Sequence, residues 1–130
     1  MFQYVTREVA DTVEAWLQWA SPKRQTIMIH TIEQAKCLNQ RAGLHWFEPG
    51  TLRWFGSRIG STVYPVTDGC YFVSSEYTGF RKEGRSYTVR FCSDNGRIET
   101  IGEFLAYKTR DSAHRAAKWH QSVHSAKVEA

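Results

Sequence analysis

The sequence predicts an α+β domain, in which helices at both ends of the chain pack against an antiparallel sheet of three to four strands. Apolar residues recur at helical spacing near both ends of the chain. In the middle of the chain apolar and polar residues alternate, as in half-buried strands. Glycine-containing turn signals separate these strand segments closely enough for antiparallel hairpins.

The length and composition predict one soluble domain over residues 1–130, with its core in residues 31–126. A hydrophobic fraction of 42% with 14% aromatic residues excludes a disordered chain. No apolar run approaches the roughly 18 residues of a membrane span, and the first residues lack the pattern of a signal peptide. Three cysteines without a CxxC pair predict neither a disulfide framework nor a zinc site. We therefore expect a cytoplasmic protein.

Two helices are predicted before the sheet. The first covers Thr6–Ala20, within an N-terminal segment of residues 1–22, where five apolar residues share one helical stripe. The second begins after Thr31, which forms a capping box with Gln34, and ends near Ala42. Gly43 then suits a left-handed cap. The residues expected to face the core from this helix are Ile32, Ala35 and Leu38.

The next segment, residues 44–58, is rich in aromatic residues but is broken by proline and glycine, so a long helix is excluded. We predict one helical turn over Thr51–Phe55, in which Leu52 and Phe55 are buried and Arg53 points outward. Five residues of this segment are expected to form a seam that joins helix and sheet in the core: His45, Trp46, Phe47, Leu52 and Phe55.

The strands are predicted from the alternation of apolar and polar residues and from the turn-forming residues between them. Residues 62–66 and 70–76 form a predicted hairpin, with Pro65 on an edge strand. Residues 85–92 are the clearest strand, and Asn95-Gly96 predicts a type I′ turn into a returning strand over 97–107. That turn sets Phe91 opposite Thr100 and Val89 opposite Gly102. A last helix over 109–127 carries a stripe of small residues that can pack on the sheet.

Three groups of residues are candidates for a reactive site or an ion pair. His120 and His124 have the spacing of two metal ligands, but no third ligand is suggested, so no metal or cofactor is predicted. Ser75, Glu76 and His45 could form a nucleophilic site, although no Gly-x-Ser-x-Gly elbow selects them. The acids Glu99 and Glu103 lie within expected reach of Arg90, which favours a structural salt bridge over acid–base catalysis.

Cations interleaved with aromatic residues in the middle of the chain are the strongest functional signal. Nucleic-acid surfaces combine cations that neutralise phosphates with planar groups on which bases stack. The net charge of +4 agrees, as do Lys108, Arg110, Arg115 and Lys118 near the last helix. Tryptophan, tyrosine and arginine also anchor protein interfaces, so an acidic protein partner stays open. The predicted binding residues are Arg53, Arg58, Tyr77, Arg81, Lys82, Arg85 and Arg90.

Four blocks of the sequence, in this order along the chain, resemble an uncharacterised domain family common in tailed bacteriophages and prophages: Ala42–Ile59, Tyr71–Glu76, Tyr87–Arg90 and Ile98–Phe104. The resemblance covers Asn39–Glu103 and leaves out the N-terminal helix. It implies a phage or mobile-element accessory protein in the cytoplasm of an infected or lysogenic bacterium. It transfers no activity, cofactor or catalytic residue.

Three functions follow as hypotheses. The first is non-covalent binding to nucleic acid or a nucleoprotein through the basic, aromatic-rich surface. The second is an anti-defence protein, comparable to an anti-CRISPR inhibitor, that binds a host protein complex. The third is a small enzyme built on Ser75, Glu76 and His45. The sequence leaves the partner and the oligomeric state open.

Overall fold

A computed structural model describes residues 26–78 and 84–129, and within these ranges it confirms the α+β class. The described residues form one antiparallel sheet in the order β1-β2-β3-β4, with strands β1 (Arg58–Val66), β2 (Gly69–Tyr77), β3 (Arg85–Ser93) and β4 (Ile98–Ile101). Helices α1 (Ile32–Arg41) and α2 (Pro49–Phe55) precede the sheet, and α3 (Arg110–Glu129) follows it. The predicted helix Thr6–Ala20 lies outside the described residues. None of the described helices is long and apolar enough to cross a membrane.

Side chains alternate between the two faces of the sheet, and each face has its own core. The face that packs against α3, called the α3 face, buries residues of β1, β2 and β3 together with the small residues of that helix: Val66, Tyr71, Val73, Val89, Phe91, Ala113 and Ala117. The opposite face, called the α1 face, buries Ile29, Ile32, Ala35, Cys70, Phe72 and Cys92. The alanines of α3 bring this helix close to the sheet, as the stripe of small residues predicted.

Helix α1 forms as the capping signals predict. The backbone amide of Gln34 donates to Thr31 Oγ1 at 3.1 Å, and Gln34 Oε1 accepts from the His30 amide at 2.9 Å. Ile32 and Ala35 are buried, and Gly43 adopts the left-handed conformation with φ of 77°. The cap and the core-facing stripe were therefore predicted correctly.

The predicted register of β3 and β4 is wrong by one residue. Phe91 lies opposite Glu99 and Val89 opposite Ile101, because the connection is a three-residue loop rather than a two-residue type I′ turn. The Ser93 amide donates to the Arg97 carbonyl at 2.9 Å, and among Asp94, Asn95 and Gly96 only the glycine has a positive φ. A type I turn followed by a left-handed glycine is the usual three-residue hairpin loop.

This register moves Arg90 away from its predicted partners. Arg90 points to the α1 face, whereas Glu99, opposite Phe91, points to the α3 face. A shift of one residue exchanges the faces of a strand. The salt bridge predicted with Glu99 and Glu103 is therefore wrong, and Arg90 pairs with Glu76 instead.

Two further expectations are corrected. The returning strand ends at Ile101, not Tyr107, because Gly102 and Leu105 both adopt positive φ and turn the chain out of the ladder. Tyr107 then rejoins the sheet through a single bridge to Tyr87.

The predicted seam of residues 45–55 joins the core only in part. Phe55, predicted to be buried, is 59% exposed, and His45 is exposed as well. Trp46, Phe47 and Leu52 are half-buried, so only part of the predicted seam joins the core.

A buried carboxylate connects the strands on the α1 face. Glu76 is 1% exposed and accepts from Ser57 Oγ at 2.9 Å, Thr88 Oγ1 at 3.1 Å and Arg90 Nη2 at 3.2 Å. Arg90 also donates to Ser74 Oγ at 3.0 Å and to Thr100 Oγ1 at 2.6 Å. This set of contacts, called the Glu76 network, joins the start of β1 to the other three strands.

Removing the Glu76 carboxylate leaves the guanidinium of Arg90 buried without its counter-charge. We expect Glu76→Ala to lower the free energy of unfolding by about 3–5 kcal/mol, measured by urea denaturation. Glu103→Ala, at an exposed acid, serves as the control and should change it by less than about 0.5 kcal/mol. Equal effects of the two variants would contradict the importance of the network.

Candidate anion-binding site

A cavity of about 350 Å³ opens on the α3 face, near the first turn of α3. Four nitrogen-bearing side chains line it: Arg58, Arg85, Arg110 and His114. The other lining residues that the structure describes are Ile59, Gly60, Ser61, Thr62, Val73, Ser74, Ser75 and Tyr87, and none of them carries a carboxylate. Such a site attracts anions, because the guanidinium groups are permanently charged.

Two of the arginines are available for a ligand. Arg58 begins β1 and lies opposite Ser75, and Arg110 begins α3. Both are exposed, and neither side chain makes a hydrogen bond or ion pair with the described part of the chain. Their positive charges are therefore not neutralised within residues 26–78 and 84–129.

Arg85 is held firmly at the base of the cavity. Its Nε donates to Ser75 Oγ at 2.9 Å, and its Nη2 donates to the backbone carbonyls of Gly56 and Ser75. The guanidinium carbon lies 4.6 Å from the centre of the Tyr77 ring, within cation–π range. Nη1 is buried and has no acceptor among the described residues. Leaving a buried donor unpaired costs about 1–3 kcal/mol, so an acceptor that reached Nη1 would be bound favourably.

His114 adds a titratable group beside the arginines. Burial and the positive charge of Arg110 lower its pKa from the ordinary value of 6.5, and Asp111 acts in the opposite direction. Its Nδ1 lies 2.8 Å from the Tyr64 hydroxyl. The ring is therefore neutral at pH 7 and becomes charged only when the pH falls or an anion binds nearby.

The structure brings together some of the predicted binding residues and separates others. Arg58 and Arg85 line the cavity, and the Tyr77 ring contacts the Arg85 guanidinium without lining the cavity itself. Arg53 is exposed on α2 and does not line it. Arg90 lies on the opposite face, buried and paired with Glu76. Arg81 and Lys82 lie outside the described residues.

Sequence reasoning missed two residues of the cavity. Arg110 was noted only as one of several cations near the last helix, and His114 was not singled out. Their separation by four residues places both on one side of α3, which was the available signal. Nothing in the local pattern indicated that this side of α3 packs beside Arg58 and Arg85 on the sheet.

The proposed nucleophilic residues do not come together. His45 Nδ1 lies 2.6 Å from Glu48 Oε2 at the surface. Ser75 Oγ accepts from Arg85, and Glu76 belongs to its buried network. Among the described residues, no hydrogen bond joins His45 to Ser75 or Glu76.

The two histidines of helix α3 are engaged within the fold. His124 Nε2 lies 2.6 Å from Asp68 Oδ1, and its Nδ1 lies 2.9 Å from the Tyr71 hydroxyl. His120 stacks on the Tyr71 ring, with centroids 5.7 Å apart. In the described part of the chain, no group of three histidine, cysteine or acidic side chains is arranged to hold a metal ion.

Fold and site define a small α+β domain with a concave, arginine-lined cavity on its helix-covered face. The chain belongs to the family of unknown function DUF7447, whose model matches residues 31–118. The match extends beyond the resembling blocks at both ends and includes Arg58, Arg85, Arg110 and His114. Comparison with curated proteins and with solved structures gave no significant match.

Gly56 holds the chain beside the cavity in a conformation that favours glycine. Its φ is 64°, and an added Cβ would lie 2.7 Å from Cδ2 of Tyr77. We expect Gly56→Ala to lower the free energy of unfolding by about 1–3 kcal/mol in urea denaturation. Gly43→Ala is the matched control, because Gly43 has a φ of 77° but no atom within 4 Å of an added Cβ. An equal loss in both variants would show that the Tyr77 contact contributes nothing.

The lowered pKa of His114 predicts how stability depends on pH. The folded chain binds this proton less readily than the unfolded chain, so His114 has no effect well above pH 6.5. Its contribution becomes destabilising as the pH falls below that value. Between about pH 7.5 and about pH 5, His114→Gln should therefore lose less unfolding free energy than the wild type. The pKa of His120 is also lowered by burial, and this group is unchanged in both proteins. Identical pH profiles would contradict the prediction.

Proposed function

We propose that this chain binds nucleic acid non-covalently, with phosphate groups held at the cavity of Arg58, Arg85 and Arg110. The single observation that carries the proposal is the meeting of three guanidinium groups at one cavity whose described lining has no carboxylate. Arginine matches phosphate geometry through paired N–H donors. The two exposed arginines supply charge, and the fixed Arg85 supplies orientation.

The biological setting belongs to the same proposal. The run Ala42–Ile59 and the later blocks resemble domains of tailed bacteriophages and prophages. We infer an accessory protein of a phage or mobile element that acts in the cytoplasm of its bacterial host. A DNA, an RNA or a nucleoprotein would each offer the required phosphates.

A second candidate function is supported by exposed rings on α2. Trp54 is 84% exposed and Phe55 is 59% exposed, and Phe104 near the end of β4 is 52% exposed. Exposed aromatic side chains of this size are typical anchors of protein interfaces. They favour an inhibitor that binds a host protein complex, the alternative raised by the sequence.

Nucleic-acid binding through the cavity predicts a specific salt dependence. We expect Arg58→Ala/Arg110→Ala to weaken binding of a labelled single-stranded oligonucleotide, measured by fluorescence anisotropy between about 50 mM and about 200 mM salt. The negative slope of log affinity against log salt should become shallower by about 1.4, because two phosphate contacts are lost at about 0.7 each on a single strand.

The matched control for this experiment is Arg97→Ala. Arg97 is exposed and lies in the β3–β4 connection, at the opposite end of β3 from Arg85. It should leave affinity and slope nearly unchanged. A similar loss in both variants would show a general charge effect, and binding that does not depend on salt would overturn the proposal. Loss of oligonucleotide affinity in Trp54→Ser alone would place nucleic-acid binding at the exposed rings of α2 instead of at the cavity, and would also contradict the proposal.

A further inference from the structure

We propose that the cavity of Arg58, Arg85, Arg110 and His114 selects a phosphomonoester, the terminal phosphate of a strand or of a free nucleotide, over the internal phosphodiesters of a backbone. The strand form of this inference rests on the proposed function, and the free-nucleotide form does not. Both sources present the same dianionic group.

The size and shape of the cavity support an end group. A volume of about 350 Å³ lies at the small end of the range for ligand pockets, enough for one nucleotide-sized group. A double helix cannot enter such a concave site, and an internal phosphate brings a chain on both sides. A terminal phosphate enters with one substituent only.

The charge of the cavity also matches a monoester better. A phosphomonoester carries about −1.5 to −2 charges at pH 7 and has three terminal oxygens. An internal phosphodiester carries one charge and two such oxygens. Three guanidinium groups at a cavity whose described lining holds no carboxylate exceed what one negative charge neutralises.

The hydrogen-bond donors around Arg85 remain available for these oxygens. Nη1 of Arg85 lacks an acceptor among the described residues, and Ser75 Oγ accepts from Nε, which leaves its own proton to donate. Arg58 and Arg110 are exposed and without partners in the described chain. Nη1 is buried, so a phosphate oxygen contacts it only when the atoms that cover it move.

The pKa of His114 is expected to change when an anion occupies the cavity. Tyr64, Arg110 and Asp111 face its ring, and Arg58 and Arg85 line the same cavity. A dianion bound there favours the imidazolium form and raises the pKa of His114. Nuclear magnetic resonance therefore detects binding without any assumption about activity.

The experiment compares one short oligothymidylate in three forms: with a 5′-phosphate, with a 3′-phosphate and with neither. We expect at least one phosphorylated form to bind about tenfold more tightly or better than the unphosphorylated form, because charge-assisted hydrogen bonds are gained. Arg110→Ala, at an exposed position, should remove that preference, whereas Arg97→Ala should keep it. A nucleoside monophosphate and inorganic phosphate, each added alone, should raise the pKa of His114 in the wild type.

The outcomes separate this inference from the proposed function. Equal affinity of all three oligonucleotides, with no response of His114 to either small phosphate, overturns the phosphomonoester site and leaves nucleic-acid binding in place. A response of His114 to the nucleoside monophosphate, with no oligonucleotide binding, supports the site with a free nucleotide as its ligand and overturns the proposed function. No response to any of these ligands overturns both.

Discussion

The carboxylate of Glu76 is buried on the α1 face, where it links Ser57, just before β1, to β3. A charge at this depth is stable only when it is paired and hydrogen-bonded, and Glu76 receives donors from Ser57, Thr88 and Arg90. The Thr88 hydroxyl in turn accepts from the Leu105 amide at 2.9 Å. One acid therefore fixes the start of β1, the pairing of β2 with β3 and the chain that leaves β4.

The network also determines where the candidate site can form. Ser57 is held on the α1 face by Glu76, and its neighbour Gly56 turns a carbonyl to Arg85. Arg58 follows at the start of β1 and lines the cavity on the α3 face. The sheet thus separates its arginines: Arg90 is neutralised by Glu76 inside the fold, while Arg58 and Arg85 line one cavity and have no carboxylate partner among the described residues. This separation, rather than the modest net charge of the chain, makes the cavity positively charged.

Sequence reasoning succeeded where structure is determined locally. Thr31 and Gln34 specify a cap, and Pro65 indicates an edge strand, because each effect acts within a few residues. It failed where distant contacts decide. The Asp94 amide donates to the Asp68 carbonyl at 2.9 Å, and Gly96 packs on the backbone of α1, where a Cβ would lie 2.4 Å from the Leu38 carbonyl. These contacts favour the three-residue loop, and that loop sets the register and hence the face of Arg90. The cavity was predictable only in part, because Arg110 and His114 reach it from the far end of the chain.

A crystal structure of the chain grown with a nucleoside monophosphate would show whether the arginines of the α3 face form one anion site. The expected result is a phosphate inside the cavity, with oxygens about 2.7–2.9 Å from Arg85 Nη1 and from the Arg110 guanidinium. An anion bound elsewhere, or a carboxylate from residues 1–25 or 79–83 that occupies the cavity, would contradict it.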